Sequence, residues 1–334
     1  MYTLHDYARM IADEGRTGPY VRALEAVVRP GSVVADIGTG TGIFALAACR
    51  LGASRVYAMD TNDAIEVARE LARENAVADR IVFFRKDARE VQLPERADVI
   101  VSDMRGALPL NGDHLAVIAD VRGRFLKPDG VLIPTRDRLM VAVLEQPELY
   151  EWALGPARGP LGVTLEAARA RLRQAVCAEG GSKPLRPENV LSTAAVWATI
   201  DYATVEPAPI TGRGELRVQR AGVGHGLLLW FDAILAGEHI FSTAPGRELC
   251  YGRYFFPWPR PVVLSEDDTV SVDLWAQPGG EPWGWNSVVM RTTGAREEFR
   301  QSSFLSWPAK PSATMRNIPT PNGGAVTPSP LVRG

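Results

Sequence analysis

The chain has 334 residues, 46% of them hydrophobic, which is enough apolar material for about two domains. Its 37 Lys and Arg nearly balance 39 Asp and Glu, and the resulting net charge of −2 excludes a broad electrostatic hold on nucleic acid or on an anionic membrane. Three scattered cysteines (Cys49, Cys177, Cys250) and four scattered histidines show neither CxxC nor metal-ligand spacing, so neither a disulfide framework nor a metal site is expected. No apolar run of 18 residues and no apolar leader occur, and the expectation is a cytoplasmic protein with no membrane partner.

Taken in chain order, residues 2–30 read as helices, with apolar side chains recurring in YARMIADE and YVRALEAVV. VVADI (33–37) reads as a buried strand, 42–52 as a helix, and RVYAMD (55–60) as a second strand. AIEVARELARENA (64–76) is an amphipathic surface helix, IVFFRKD (81–87) a third strand and ADVIVSD (97–103) a fourth. A helix over about 112–126, a KPDG turn and a fifth strand, VLIP, complete an alternation that predicts a doubly wound, mostly parallel sheet. After about residue 137 a helical stretch, TLEAARARLRQAV (164–176), precedes a β-rich region. Its expected strands lie in VWATIDYATV, GELRVQRAG, GHGLLLWFDAIL, CYGRYFFPW, TVSVDLWAQ and NSVVMRTTG, as in a barrel or sandwich. The predicted division is N-terminal helices over 1–30, a Rossmann-like α/β domain over 31–137 and an all-β, barrel-like domain over 138–310. A helical arm falls at about 145–190, and the Pro-, Gly-, Ser- and Thr-rich tail at 311–334 is expected to be disordered.

The loop Asp36-Ile37-Gly38-Thr39-Gly40-Thr41-Gly42 lies between a strand and a helix, where glycines let the backbone turn and approach a ligand. A triphosphate loop would need a GK[ST] ending, which is missing, and a dinucleotide loop would need GxGxxG, whereas the spacing here is GxGxG. Asp36 would sit badly beside a pyrophosphate but suits a cation such as the ammonium or sulfonium of S-adenosylmethionine. Asp60 ends the next strand, where a carboxylate can accept ribose hydroxyls, and Asp87 ends the third, within reach of an adenine amino group. Acids at three successive strand ends describe one cleft at the carboxyl edge of the sheet. Gly38, Thr39, Gly40, Gly42 and Ser102 complete the expected cofactor set.

With these residues in view, DIGTGTG, YAMD, VSDMRG and KPDGVLIP resemble, in this order, the protein arginine methyltransferases. GHGLLLWFDAIL (224–235) followed by STAP (242–245) resembles that family's β-barrel, and DYARMIADE (6–14) its cofactor-covering helix. The resemblance covers about residues 2–310 and implies the cofactor S-adenosylmethionine, with Arg22 gripping its carboxylate. It also implies a head-to-tail homodimer docked through the arm.

The acceptor side departs from the family. A hairpin of form SExxGxxxxxE, whose two glutamates clamp a guanidinium, is matched here by Ser102-Asp103-Met104-Arg105-Gly106 and, at the second glutamate position, Gly112. The family's threonine-histidine-tryptophan loop is matched by Cys250-Tyr251-Gly252. Asp103 is the first candidate to orient an acceptor or take its proton, with Asp113 and His114 next. Asp103 could instead pair with Arg105, and His225 and Asp232 read as structural. The expectation is methyl transfer to a nitrogen or oxygen of a small molecule or peptide. Arginine methylation and a catalytically silent, cofactor-binding interaction protein are the alternatives.

Overall fold

A computed structural model describes residues 2–178, 184–280 and 282–305. The alternating pattern of the first half folds as one parallel sheet. Its strands are β1 (Val33–Ile37), β2 (Arg55–Met59), β3 (Ile81–Phe84), β4 (Ala97–Ser102) and β5 (Leu126–Ile133), in the spatial order β3-β2-β1-β4-β5. All five residues of β1 are buried, as expected for a central parallel strand covered on both faces. Helices α3 (Ile43–Arg50), α4 (Ala64–Glu74) and α5 (His114–Phe125) pack on this sheet, α4 through its small residues Ala64, Ala68 and Ala72. The order reverses between β1 and β4, and that reversal opens a crevice at their carboxyl ends.

Two local predictions need correction. The third strand ends at Phe84, three residues early, because the Asp87 side chain accepts the Arg89 N–H and starts a short turn, Ala88–Glu90. KPDG is not a turn between helix and strand but part of β5. There it forms a bulge between the Ala97–Leu126 and Val99–Val131 pairs, with Lys127 Nζ bonded to Asp98 at 2.6 Å.

Ahead of the sheet, α1 (Leu4–Ala12) starts at a capping box in which Thr3 and Asp6 satisfy each other's backbone N–H groups. It buries no residue. Helix α2 (Glu14–Val27), capped by Asp13, buries a stripe of Arg16, Tyr20, Ala23 and Leu24.

The second half is built from two antiparallel sheets. The first contains β6 (Arg136–Leu144), β7 (Cys177–Ala178), β8 (Ala195–Asp201), β10 (Gly222–Ile234), β11 (Ile240–Ser242) and β12 (Tyr254–Leu264), in the order β7-β12-β10-β6-β8 with β11 beside β10. The second contains β9 (Ile210–Arg217), β13 (Thr269–Ala276), β14 (Trp283–Met290) and β15 (Arg296–Ser302), in the order β15-β14-β13-β9. The arm contributes α6 (Pro147–Leu154) and α7 (Glu166–Leu172), and α6 seats Leu149, Tyr150 and Leu154 against Leu228 and Trp230 of β10. Trp230, Trp283 and Trp285 are core residues, while half-buried Trp275 packs beside Phe304. His225 Nδ1 accepts the Gln146 N–H, and Asp232 accepts the Ser242 hydroxyl, so both brace strands. One apolar cluster runs continuously from Val34 and Ile100 of the parallel sheet to Phe231 and Trp258 of the antiparallel one. Among the described residues no helix is long and apolar enough to cross a membrane. The tail expectation, 311–334, falls outside the described residues.

Glycine separates two positions sharply. A Cβ on Gly212 would stand 1.6 Å from the Trp197 carbonyl oxygen, whereas one on Gly123, in α5, would meet nothing within 4 Å. Gly212→Ala is therefore expected to destabilise by about 3 kcal/mol through forced backbone movement. Gly123→Ala should stabilise by about 0.5–1 kcal/mol through helix propensity. Urea midpoints of the two variants check both signs.

Candidate active site

A cavity of about 530 Å³ lies at the carboxyl edge of the sheet, roofed by α1 and walled by the glycine loop, the segment after β4 and residues 250–252. Its size falls within the range of small-molecule sites. The roof touches the floor: a Cβ on Gly40 would lie 2.4 Å from the Tyr7 ring, and one on Gly38 would lie 2.5 Å from Met104 Cγ. Both glycines have positive φ, 53° and 73°, so the close approach and the turn select the same residue type.

The predicted cofactor residues divide into those that face the cavity and those that support it. Gly38, Thr39 and Asp60 line it. Asp60 Oδ2 accepts the Gly40 N–H at 2.7 Å and Oδ1 accepts the Asn62 N–H at 2.7 Å, which fixes the carboxylate at the end of β2. Gly42 begins α3 with a φ of 83°, its Cα facing Ala68. Asp36 is buried behind the loop rather than exposed to the cavity. Its Oδ2 accepts the Thr39 hydroxyl at 2.7 Å and the Ala45 N–H at 3.0 Å, which ties the loop to α3. Burial pushes its carboxyl up to about 7 despite those two bonds. Ser102 is buried, with its hydroxyl unpartnered among the described residues, and its carbonyl accepts the Tyr20 hydroxyl at 3.0 Å.

Asp87 and Arg22 stand elsewhere. Asp87 caps its short turn and is gripped by Arg89, whose Nη2 also reaches Asp113 at 2.8 Å, so the two acids pair at the surface away from the cavity. Arg22 is exposed and does not line the cavity, whereas Arg16, buried in α2, and Arg9, on α1, both do. Helical geometry explains the correction. Arg16 shares the buried stripe of Tyr20 and Leu24, whereas a position six residues on is rotated by roughly 120°. The spacing of that stripe was readable in the sequence and would have favoured Arg16. Arg16 Nε donates to Asp103 Oδ2 at 2.6 Å and Nη1 to the Met10 carbonyl at 3.1 Å, leaving Nη2 for a ligand.

The three catalytic candidates are also redistributed. Asp113 is at the surface with Arg89. His114 is buried behind the cavity wall, its Nε2 2.9 Å from the Tyr202 hydroxyl. That hydroxyl donates to Asp137 Oδ2 at 2.5 Å, an arrangement that assigns the imidazole proton to Nε2, and Nδ1 has no partner among the described residues. Burial and the nearby Arg105 charge lower this imidazole to about 3, which removes it as a base. Asp103 does line the cavity, but its carboxylate is taken. Oδ1 accepts Arg105 Nε and Nη2 at 3.2 and 3.1 Å, while Oδ2 accepts Arg16 Nε and the Tyr251 hydroxyl, both at 2.6 Å. Burial pulls this carboxyl up, but the two guanidinium groups outweigh it and hold the group at about 2. Asp103 is thus an anchor for its neighbours rather than a proton acceptor.

Arg105, the sequence partner proposed for Asp103, does more than pair with it. It is wholly buried, donates to Asp137 Oδ1 at 2.9 Å and to the Tyr20 hydroxyl at 2.5 Å, and lies 4.9 Å from the Phe231 ring and 5.2 Å from that of Phe241. The family's second glutamate position is Gly112, with φ at 52° and open space where a Cβ would stand. Cys250 to Gly252 form a wall of the cavity, with Tyr251 stacked on Phe241. Among the described residues no cluster of His, Cys, Asp or Glu could hold a metal ion.

Arg105→Ala leaves two buried carboxylates short of a partner, and a loss of about 3–5 kcal/mol is expected in chemical denaturation. A second outcome concerns pH. The folded Asp36 carboxyl titrates near 7 against an ordinary value of 3.8, so between those values the folded chain keeps a proton that the unfolded chain has released. Stability from this group is full below about pH 4 and declines as pH rises toward about 7. The stability of the native chain relative to Asp36→Asn should therefore be lower at pH 8 than at pH 5, as measured by denaturant midpoints.

Comparison with known proteins follows the same geometry. Residues 16–133 match the family model described as ribosomal protein L11 methyltransferase (PrmA). The chain is 30% identical over 255 residues to probable protein arginine N-methyltransferase 6 of Arabidopsis thaliana, covering 73% of this chain but only 58% of that relative's length. It is 30% identical over 307 residues to protein arginine N-methyltransferase PRMT10 of Oryza sativa subsp. japonica, covering 81% and 80% of the two chains. Among solved structures, Arabidopsis thaliana protein arginine methyltransferase 10 superposes with a TM-score of 0.75 at 21% identity, over 90% of this chain and 97% of that one. The Trypanosoma brucei PRMT1 enzyme-prozyme complex with AdoHcy gives 0.78 at 20% identity, over 90% and 98%, and both likenesses establish the fold. The parallel sheet with its glycine loop, the antiparallel second half and the 30% identity over most of both sequences agree: the chain belongs to the protein arginine N-methyltransferase family.

Proposed function

We propose that the cavity binds S-adenosylmethionine and that the chain transfers its methyl group to a nitrogen or oxygen of a small molecule or peptide. The observation that carries this reading is the joint placement of Asp60, the Gly38–Thr39 floor and the Arg16 guanidinium around one cleft. Asp60 would hold the ribose hydroxyls, and Arg16, in place of Arg22, would hold the carboxylate through Nη2. When bound, the cofactor supplies an electrophilic methyl on a positive sulfur. The chain contributes positioning, which suits a one-step displacement that needs little covalent assistance. Asp36 holds the loop rigid, Tyr7 closes over it, and Met104 and Tyr251 shape the side from which an acceptor enters.

Methylation of protein arginine is a second reading, favoured by the names of the relatives. Against it stand the saturated Asp103 and the bare Gly112. The arm supports a head-to-tail homodimer within the same proposal, because Trp152, Leu161, Val163 and Leu172 are all exposed on it. A cytoplasmic location remains part of the reading and fits the three unpaired cysteines.

Titration calorimetry with S-adenosylmethionine and S-adenosylhomocysteine tests the core of the proposal, with NAD as the control. Saturable heat is expected with the first two, and its absence overturns the reading. Arg16→Ala should weaken donor binding by roughly tenfold to a hundredfold, the worth of a charge-assisted hydrogen-bond pair. Solution mass should be near 73 kDa, twice the 36.3 kDa chain, and should halve on replacing Trp152 and Leu161 with Asp.

A further inference from the structure

The acceptor side of the cavity holds an unusual charge arrangement. Asp103 has about four acceptor sites as a carboxylate, and four donors from Arg105, Arg16 and Tyr251 fill them. Arg105 in turn is neutralised on its far side by Asp137, so the two arginines and two aspartates cancel within the wall. The chain's own Arg105 guanidinium occupies the carboxylate that a substrate guanidinium would need.

Among the described residues around Asp103, no other carboxylate takes its place. Gly112 carries no side chain, and Asp113 is held at the surface by Arg89. Asp6 caps α1 through Thr3 and pairs with Arg9, and Asp60 lies at the glycine loop, on the side given above to the donor's ribose. Tyr251 gives its proton to Asp103, Tyr20 gives its own to the Ser102 carbonyl, and desolvation at the wall, with the nearby Asp103 and Asp13 charges, pushes the thiol of the exposed Cys250 up to about 12. His114 faces Tyr202 and Asp137 behind the wall. The neighbours of Asp103 in the cavity wall include the uncharged Met104, Ala107 and Gly252, with the Ala107 Cβ 3.4 Å from where a Cβ on Gly252 would stand.

We infer that the acceptor is an uncharged nucleophile whose lone pair is already free, a weakly basic aromatic nitrogen such as an imidazole or an arylamine, and that guanidinium and ammonium groups are excluded. The inference rests on the methyl-transfer reading of the cleft and narrows it. A wall whose one carboxylate, among the described residues, is saturated by the chain's own arginines can neither strip a proton from a cation nor repay the cost of desolvating one. A neutral nitrogen needs neither service. Its lone pair forms the new C–N bond as the C–S bond of the donor breaks, the electron pair of that bond staying on sulfur. The methylated nitrogen carries the positive charge, and a ring or amine N–H releases its proton to solvent after departure.

The test uses the full chain with methyl-labelled S-adenosylmethionine and four acceptors: an imidazole-bearing peptide, an arylamine, an arginine-rich peptide and a lysine-rich peptide. Label is expected in at least one of the first two, with a rate that rises as that acceptor deprotonates. The midpoint of this pH profile should move when a ring substituent changes the acceptor's own pKa. A second readout is calorimetry of the arginine-rich peptide against the chain saturated with S-adenosylhomocysteine, where no binding heat is expected. Label in the arginine or lysine peptide, saturable heat from the arginine peptide, or a midpoint that ignores the acceptor's pKa overturns the inference. So does the absence of label from both neutral acceptors in a chain that binds the donor. Absence of donor-binding heat is a separate result and overturns the methyl-transfer reading together with everything built on it.

Discussion

The Arg105 guanidinium has no contact with solvent and lies between carboxylates from both halves of the molecule, Asp103 after β4 and Asp137 in β6. Removing such a charge from water costs several kcal/mol, and the cost is recovered only where every donor is used. Here the donors reach two carboxylates and two tyrosine hydroxyls, while the faces of Phe231 and Phe241 supply cation–π contact. Because Tyr20 comes from α2, Asp103 from the parallel sheet and Tyr251 from the second half, a shift of either half breaks several bonds at once. The seam between the domains is therefore held in one arrangement by polar geometry, over and above the apolar cluster that runs through it.

The same constraint shapes the cavity. With Asp103 turned toward Arg105 and Arg16, the segment 103–112 is pinned at its start. At its end the Asn111 side chain accepts the Tyr254 hydroxyl at 2.7 Å, and the Leu110 carbonyl accepts the Gly279 N–H at 2.9 Å. The acceptor wall is thus rigid and electrically balanced. The roof is the opposite: α1 buries no residue and is held mainly by Tyr7 over Gly40 and by the Met10 carbonyl on Arg16. Elements with so few buried contacts open at a smaller free-energy cost than a packed floor does.

Much of the cofactor side was legible in the sequence because it is local. A strand, a glycine turn, a helix and an acid at the next strand end are set by a few consecutive residues, and Gly38, Thr39 and Asp60 stand where that pattern puts them. Arg22 and Asp87 stand outside the cavity lining. The resemblance points to Arg22, whereas the helical stripe through Tyr20 and Leu24 places Arg16 on the buried face. The strand-end pattern puts Asp87 at the end of the third strand, but its own capping of the next turn ends that strand three residues earlier.

The acceptor side was legible only as a departure from a pattern. Asp103 and Gly112 in place of two glutamates showed that something had changed, and Arg105 beside Asp103 suggested an ion pair. The sequence by itself determined the strand-helix alternation, the glycine loop and the family, because those depend on residues near one another in the chain. Only the tertiary structure decided which charges meet. Asp103, Asp137, Tyr20 and Tyr251 are separated by up to 231 positions, yet they converge on one guanidinium. Their partners are set by how two sheets pack, and side-chain protonation follows from that burial rather than from residue type.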